Sequence, residues 1–149
     1  MKDKIVLIDG CRTPFLKSET DYLNTMTYEL AQLAIKGLLS KTGMDPNLVD
    51  SVVMGCVIST LKTSNLAREA ALGAGIPYST PCHTVSQACI SANRAIATAI
   101  SEIATGQSNI VIAGGADSAS ETPIGYKKHM RTKLMKGKKL KSTSDMIRF

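Results

Sequence analysis

The sequence predicts an α/β fold in which a mixed, mostly parallel sheet is layered with helices. Short β-rich apolar runs alternate along the chain with longer segments whose apolar residues recur at helical spacing. The 149 residues, 44% of them hydrophobic, are enough for one globular domain with a core of small aliphatic side chains. Alternation of this kind favours strands that helices cover on both faces.

Four runs are predicted to be strands, because each is short, apolar and bounded by turn-forming residues. They cover residues 5–8, 52–57, 82–87 and 109–113. The first, Ile-Val-Leu-Ile, is a continuous apolar run of the kind that is buried on both faces of a sheet. We therefore expect it to form the first strand of the sheet.

Three segments are predicted to be helices, at residues 30–38, 66–72 and 88–103. Gly43 ends the first helix and Gly106 ends the third, in which apolar residues repeat at i, i+4, i+7 and i+8. The Ala and Ser content of the third helix predicts close packing against other elements.

The net charge of +6 comes from one basic segment near the C-terminus. This segment contains eight of the 18 Lys and Arg side chains and no acid: Lys127, Lys128, Arg131, Lys133, Lys136, Lys138, Lys139 and Lys141. The rest of the chain has 10 basic and 12 acidic side chains, which is not the pattern of a basic nucleic-acid-binding fold. The segment is either a solvated tail or a surface that attracts anions or an acidic partner.

No stretch of 18 apolar residues occurs, so the sequence predicts no membrane-spanning helix. The first residues, Met-Lys-Asp-Lys, lack the apolar stretch of a signal peptide, and we expect a cytoplasmic protein. Disulfides are not expected in that compartment, and the absence of a CxxC pair argues against a zinc cluster. We therefore expect Cys11, Cys56 and Cys82 to be buried free thiols.

Cys89 lies where the third predicted strand turns into the long helix. The unpaired N–H groups and the positive dipole end of that helix favour a thiolate over a thiol. A thiolate presented there can act as an acyl-transfer nucleophile, and the backbone N–H of Cys89 can form half of an oxyanion hole. The alternative is that Cys89 is only a small residue that suits close helix packing.

The sequence Ala-Cys-Ile-Ser-Ala-Asn at residues 88–93 resembles the nucleophile motif of the thiolases, and most closely that of the fatty-acid-oxidation 3-ketoacyl-CoA thiolases. Residues 9–15, 53–57 and 113–120 resemble further segments of this family in the same order. The resemblance therefore covers essentially the whole chain.

The chain departs from the family pattern at three positions. Asp117 stands where the family has Glu, and Ala119 where it has Met, so we expect altered local packing there. Ser86 replaces the Asn of many thiolases, as a small hydroxyl residue does in the fatty-acid-oxidation subgroup.

The resemblance implies the N-terminal half of the thiolase fold in residues 1–120, followed by the start of a lid-like loop domain in residues 121–149. It implies degradative thiolysis, in which Cys89 takes the acyl group of a 3-ketoacyl-CoA and passes it to a second CoA. Coenzyme A is then a substrate, and no metal or other cofactor is implied. Lys127, Lys128 and Arg131 are candidates to attract the CoA phosphates.

Three family motifs have no match in the 149 residues: the Gly-His-Pro histidine that activates the nucleophile, Asn-Glu-Ala-Phe, and the Cys-x-Gly whose cysteine shuttles a proton. We therefore expect no useful turnover from this chain alone. We expect a homo-oligomer or a second chain that supplies the C-terminal half, and the resemblance implies a hydratase and dehydrogenase subunit as a further partner. His83 is expected to pack on its strand, and His129 to be solvated.

Two other functions stay open. One is an acetoacetyl-CoA thiolase or another condensing enzyme of the same superfamily, and the other is a non-catalytic interaction module that keeps the fold. Among the remaining polar residues, we expect Asp9 and Arg12 to share a structural hydrogen-bond network. Ser91 is expected to form a hydrogen bond within the first turn of the helix that follows Cys89.

Overall fold

The computed structural model describes residues 4–137, and these form an α/β layered fold. Three parallel strands make one sheet: β1 (Ser51–Gly55), β2 (Cys82–Val85) and β3 (Val111–Gly115). The strand β1 lies in the centre, with β2 and β3 at the edges. The predicted α/β class and three of the four predicted strands are therefore confirmed.

Four helices accompany the sheet: α1 (Thr27–Thr42), α2 (Leu66–Gly73), α3 (Ser91–Ala104) and α4 (Lys128–Gly137). The helix α2 packs on α1, β1 and β2, whereas α3 packs on all three strands. The first three helices confirm the predicted ones, while α4 lies in the basic segment and buries none of its residues. Within residues 4–137, no helix has both the length and the apolar character needed to cross a membrane.

The central strand β1 is buried on both faces, because α2, with α1 packed against it, covers one face of the sheet and α3 covers the other. Val52 and Met54 contribute to the core on the side of α1 and α2. Val53 and Gly55 alternate with them and face α3, as the pleat of a strand requires. Val52 lies opposite Cys82 on one side and Ile112 on the other.

Local signals fix the ends of α1. The Glu29 carboxylate accepts a hydrogen bond of 2.7 Å from the backbone N–H of Met26, immediately before the helix. Gly43 follows the last turn with φ +66°, the left-handed conformation that glycine adopts without steric cost. This confirms that Gly43 ends the helix.

The predicted strand at residues 5–8 is wrong. These residues pair with neither edge strand of the described sheet, and Val6, Leu7 and Ile8 are 71%, 80% and 69% exposed. An apolar run becomes a strand only where a neighbouring strand satisfies its backbone groups, and residues 4–137 supply no such neighbour here.

The segment that follows β3 is held against the start of α1. The Thr27 N–H donates a hydrogen bond of 2.5 Å to the Glu121 carboxylate, and the Glu19 N–H donates one of 2.8 Å to the Ser120 hydroxyl. Glu121 is the first residue of the predicted loop domain. The boundary after residue 120 stays a prediction, and Lys138, Lys139 and Lys141 lie outside the described residues.

Candidate active site

Cys89 lies in the turn between β2 and α3, and its side chain is exposed. The helix begins at Ser91, so Cys89 stands two residues before it rather than within the predicted first turn. The helix starts later because Ala88 has a left-handed backbone, with φ +46°, which a right-handed helix cannot contain. The sulfur is thus accessible beside the N-terminal end of a 14-residue helix.

The Ser91 side chain joins both ends of this turn. Its hydroxyl accepts a hydrogen bond of 2.8 Å from the Gln87 N–H and donates one of 2.7 Å to the Ala88 carbonyl. Ser91 is 3% exposed. We expect a hydrogen bond of Ser91 within the first turn of the helix, and this placement is wrong, because both partners lie in the turn that precedes the helix.

Two glycines allow α3 to begin directly above the ends of β1 and β3. A Cβ atom on Gly55 would collide with the backbone of Ser91 and Ala92. A Cβ atom on Gly115 would lie 2.9 Å from the Ala92 Cβ and 3.0 Å from the Gly55 carbonyl oxygen. Larger residues at either position would push the first turn of α3, and with it the Cys89 turn, away from the sheet.

Asp117 organises the loop that follows β1. Its carboxylate accepts hydrogen bonds of 2.9 Å from the Val57 N–H and 2.7 Å from the Ile58 N–H, and it lies 3.5 Å from the Cys56 sulfur. The carboxylate therefore has partners at the position where the family has Glu. The altered packing expected here stays a prediction, and the Val57 and Ile58 N–H groups satisfy the Asp117 carboxylate.

The Cys56 thiol is buried and unsuited to nucleophilic attack. Burial, and after it the Asp117 charge and hydrogen bond, raise its pKa from 9.0 to about 11. The pKa of Cys82 is also raised by burial, although Arg68 acts in the opposite direction. Cys56 is buried as predicted, whereas Cys82 is half-buried.

The prediction that Cys11 is buried is wrong, because its side chain is exposed. Since residues 5–8 join no strand, the segment after them runs along the surface. There the Cys11 sulfur rests against α1, so close that a Cβ atom on Gly37 would lie 2.9 Å from it. Cys11 and Cys89 are thus the two exposed thiols of residues 4–137.

The expected network between Asp9 and Arg12 is also wrong. Asp9 instead forms an ion pair of 2.7 Å with Lys41, and the hydrogen bond from Lys41 lowers the pKa of the Asp9 carboxyl. The Arg12 guanidinium lies over the Phe15 ring, 5.1 Å from its centroid. Asp9 and Arg12 therefore contact Lys41 and Phe15 instead of each other, because the segment that contains them runs along α1 and does not fold back on itself.

The structure places one histidine on β2 and the other at the start of α4. His83 lies half-buried on β2, as predicted for a strand residue, with its Nε2 atom 3.9 Å from the Glu102 carboxylate. His129 is exposed at the start of α4, as predicted. Within the described part of the chain, neither imidazole forms a hydrogen bond to the Cys89 side chain, and no group of three or more His, Cys, Asp and Glu side chains could bind a metal.

The basic segment presents cations to solvent. Lys127, Lys128 and Arg131 are all exposed, at the start of a helix that buries nothing. Four lysines lie along one open side of this helix: Lys127, Lys128, Lys133 and Lys136. The candidate CoA-phosphate residues are therefore accessible to an anion.

Comparison with known proteins places these features in a family. The thiolase N-terminal domain model matches residues 5–147. The chain is 47% identical over 143 residues to the mitochondrial trifunctional enzyme subunit beta of Homo sapiens, covering 96% of this chain and 30% of the relative. It is 39% identical over 140 residues to a 3-ketoacyl-CoA thiolase of Aliivibrio fischeri, covering 94% of this chain and 32% of the relative.

A solved structure agrees with these matches. The Bacillus anthracis acetyl-CoA acetyltransferase superposes with a TM-score of 0.69 at 34% identity, over 73% of this chain and 28% of that one. The chain spans about 30% of the length of the curated relatives that it matches. The family model covers nearly all of the chain, and the chain therefore belongs to the thiolase family through its N-terminal domain.

Proposed function

We propose that this chain carries the nucleophile of a 3-ketoacyl-CoA thiolase, an acetyl-CoA C-acyltransferase of fatty-acid β-oxidation, with Cys89 as that nucleophile. The observation that carries the proposal is the exposed Cys89 sulfur in a hydrogen-bonded turn at the start of α3. Cys56 is buried with a raised pKa and cannot compete at neutral pH. The names of the Homo sapiens and Aliivibrio fischeri relatives support the reaction class.

In this reaction the Cys89 thiolate attacks the 3-keto carbon of the substrate. The bond between C2 and C3 breaks, its electron pair stays on C2 and takes up a proton, and acetyl-CoA leaves. The shortened acyl group remains on Cys89 as a thioester. The thiolate of a second CoA then attacks that thioester, forms the shortened acyl-CoA and releases the Cys89 thiolate.

Charge that develops on the attacked oxygen needs hydrogen-bond donors nearby. The Cys89 N–H is the donor that we propose from this chain, and the positive end of the α3 dipole acts in the same direction. Proton transfer requires a histidine and a second cysteine, and the family motifs that contain them have no match in the 149 residues. We therefore propose that these 149 residues alone do not turn over substrate.

The remaining groups would be supplied by a C-terminal thiolase half, in the same chain, a second chain or an oligomer. The outer face of α3 supports such a neighbour, because Ile96 and Ile100 are 43% and 47% exposed on a helix whose inner face is already packed. Ile96 and Ile100 lie one turn apart and form an exposed apolar stripe, which is typical of a surface that another element covers. A hydratase and dehydrogenase subunit is a further proposed partner.

Coenzyme A is a substrate in this proposal, and no metal or other cofactor takes part. Lys127, Lys128 and Arg131 would attract its phosphates, since they are exposed and the adjoining helix contains no acid. The proposed location is the cytoplasm, although the Homo sapiens relative is mitochondrial by its name. Cell fractionation with an antibody against this chain tests the location.

An acetoacetyl-CoA thiolase is the second candidate, which the likeness to the Bacillus anthracis acetyl-CoA acetyltransferase favours. The two candidates share the Cys89 chemistry and differ in the acyl chain. Relative rates with 3-ketoacyl-CoA substrates of four and of ten or more carbons, measured on the complete enzyme, separate them.

An affinity-alkylation experiment tests the proposed substrate class. Bromoacetyl-CoA and S-bromoacetyl-N-acetylcysteamine carry the same reactive group, but only the first has the nucleotide and its phosphates. We expect bromoacetyl-CoA to alkylate Cys89 at least about fivefold faster, because charge attraction raises its local concentration, and free CoA to remove that advantage. Cys11 is the internal control and should show no preference. Equal rates of the two reagents at Cys89 would overturn the proposal in favour of a non-catalytic module.

A further inference from the structure

We propose that Ser91 is a positioning residue for Cys89, because its hydroxyl closes the turn that carries the nucleophile. This inference rests on the proposed function of Cys89. Its evidence is the geometry of residues 87–91.

The Ser91 hydroxyl uses both of its hydrogen-bonding capacities on residues that precede Cys89. It accepts from the Gln87 N–H at 2.8 Å and donates its one proton to the Ala88 carbonyl at 2.7 Å. The Ser91 N–H donates to the same carbonyl at 3.1 Å, and the Ile90 N–H donates to the Gln87 carbonyl at 3.3 Å. Cys89 is therefore enclosed in a small ring of hydrogen bonds that the hydroxyl completes.

The hydroxyl does not serve as an ordinary helix cap. A capping side chain accepts from N–H groups of the following helical turn, whereas Ser91 bonds backwards to the preceding turn. The residue at the capping position is Ile90, whose side chain makes no capping hydrogen bond. Loss of the hydroxyl should therefore affect the Cys89 turn more than the helix.

The turn needs this support because Ala88 adopts φ +46°. That conformation is unfavourable for a residue with a Cβ atom and persists only where its surroundings impose it. The Ser91 hydroxyl holds the N–H of Gln87, the residue before Ala88, and the carbonyl of Ala88 itself. Ser91 is almost completely buried, and its backbone packs closely against Gly55. This packing keeps the hydroxyl in place.

The test is the rate of Cys89 alkylation by iodoacetamide between pH 6 and pH 9, divided by the rate of Cys11 in the same molecule. We expect Ser91→Ala to lower this ratio at least fivefold near pH 7, because the turn relaxes and the sulfur loses its fixed place beside α3. Ser101→Ala is the matched control, since its hydroxyl bonds the Ala97 carbonyl later in the same helix. It should leave the ratio within twofold of the wild type.

Ala88→Gly provides an independent check. Glycine adopts positive φ freely, so Ala88→Gly combined with Ser91→Ala should regain at least half of the lost ratio on a logarithmic scale. If Ser91→Ala does not fold, Ser91→Thr takes its place and should keep the wild-type ratio within twofold, because it retains the hydroxyl.

A folded Ser91→Ala chain with the wild-type ratio and pH profile would overturn the inference, and so would a fivefold loss in Ser91→Thr. Iodoacetamide carries no CoA group, so this outcome is independent of the bromoacetyl-CoA result. Failure of the thiolase proposal and failure of the Ser91 role can therefore be told apart.

Discussion

Gly115 at the end of β3 lies against Ala92 in the first turn of α3, with no room for a side chain between them. A Cβ atom on Gly115 would stand 2.9 Å from the Ala92 Cβ, closer than carbon atoms pack in proteins. The first turn of α3 begins two residues after Cys89, so this contact sets how near the nucleophile turn lies to the sheet. The contact can be tested, because removing the Ala92 Cβ makes room for a Cβ atom at position 115.

Gly115→Ala should destabilise the chain by about 1–3 kcal/mol, the usual cost of overpacking a tight site. Ala92→Gly removes the opposing Cβ, although it costs about 1 kcal/mol by itself through helix propensity. The double variant should therefore be more stable than the sum of the two single effects predicts. A urea-unfolding double-mutant cycle measures the coupling, and strict additivity would show that the contact is absent.

Asp117→Asn should lower the pKa of the Cys56 thiol from about 11 toward 9.0. The Asp117 charge and hydrogen bond both raise that pKa, and Asn removes the charge while keeping the side-chain size. Burial, the larger cause, remains, so the fall should be partial. The pH profile of Cys56 alkylation measures it.

Cys82 is the control for this variant, because Arg68 and not Asp117 affects its pKa. An unchanged Cys56 profile in Asp117→Asn, with the Cys82 profile also unchanged, would show that Asp117 does not act on the thiol.

Asp50→Asn should remove an acid-sensitive part of the stability. Hydrogen bonds from the Asn109 and Ile110 N–H groups lower the pKa of Asp50 below its ordinary value of 3.8. The ionised carboxylate therefore stabilises the fold above pH 3.8, and this contribution disappears as the pH falls through the lower, folded-state pKa. The difference between the urea midpoints of the two proteins should be smaller at pH 3 than at pH 6, because part of the contribution is lost below pH 3.8. A difference that is the same at both pH values would contradict this assignment.

Charge reversal at Lys127, Lys128 and Arg131 should weaken CoA binding at least about tenfold without unfolding the chain, because the phosphates lose three exposed cations. Calorimetry at low and high salt measures the affinity and its electrostatic share. The matched control reverses Lys17, Lys36 and Lys62, which are exposed cations outside the basic segment. Equal weakening in both variants would mean that net charge alone, and no specific surface, attracts CoA.

The elements that the sequence predicts correctly are those that pack within the described residues. The strand β1 and the helices α1 to α3 bury apolar side chains within these residues, so a continuous apolar run identifies the strand and helical periodicity identifies the helices. The run at residues 5–8 has the same apolar character but no neighbouring strand in residues 4–137. Its exposure, and that of Cys11 after it, follows from tertiary context that a local pattern does not contain.

The site divides in the same way. The position of Cys89 between a strand and a helix can be predicted from the order of the elements. The left-handed Ala88 and the backward bonds of Ser91 cannot, because they depend on how closely Gly55 and Gly115 allow α3 to approach the sheet. The sequence does show a glycine at the end of each of two apolar runs. Only the packing shows that these glycines leave room for the first turn of α3.

Transfer of an acyl group to Cys89 is the most direct test of its role as the nucleophile. The wild-type chain and Cys89→Ser, each combined with a C-terminal thiolase half that supplies the histidine, are incubated with acetyl-CoA at neutral pH, digested and mapped by mass spectrometry for acetyl thioesters. We expect an acetyl group on Cys89 of the wild type, little on Cys11, which is also exposed, and no thioester at position 89 of the variant. Acetylation of Cys11 to the same extent as Cys89, or an unmodified Cys89, would contradict the claim that this turn presents an acyl-carrying nucleophile.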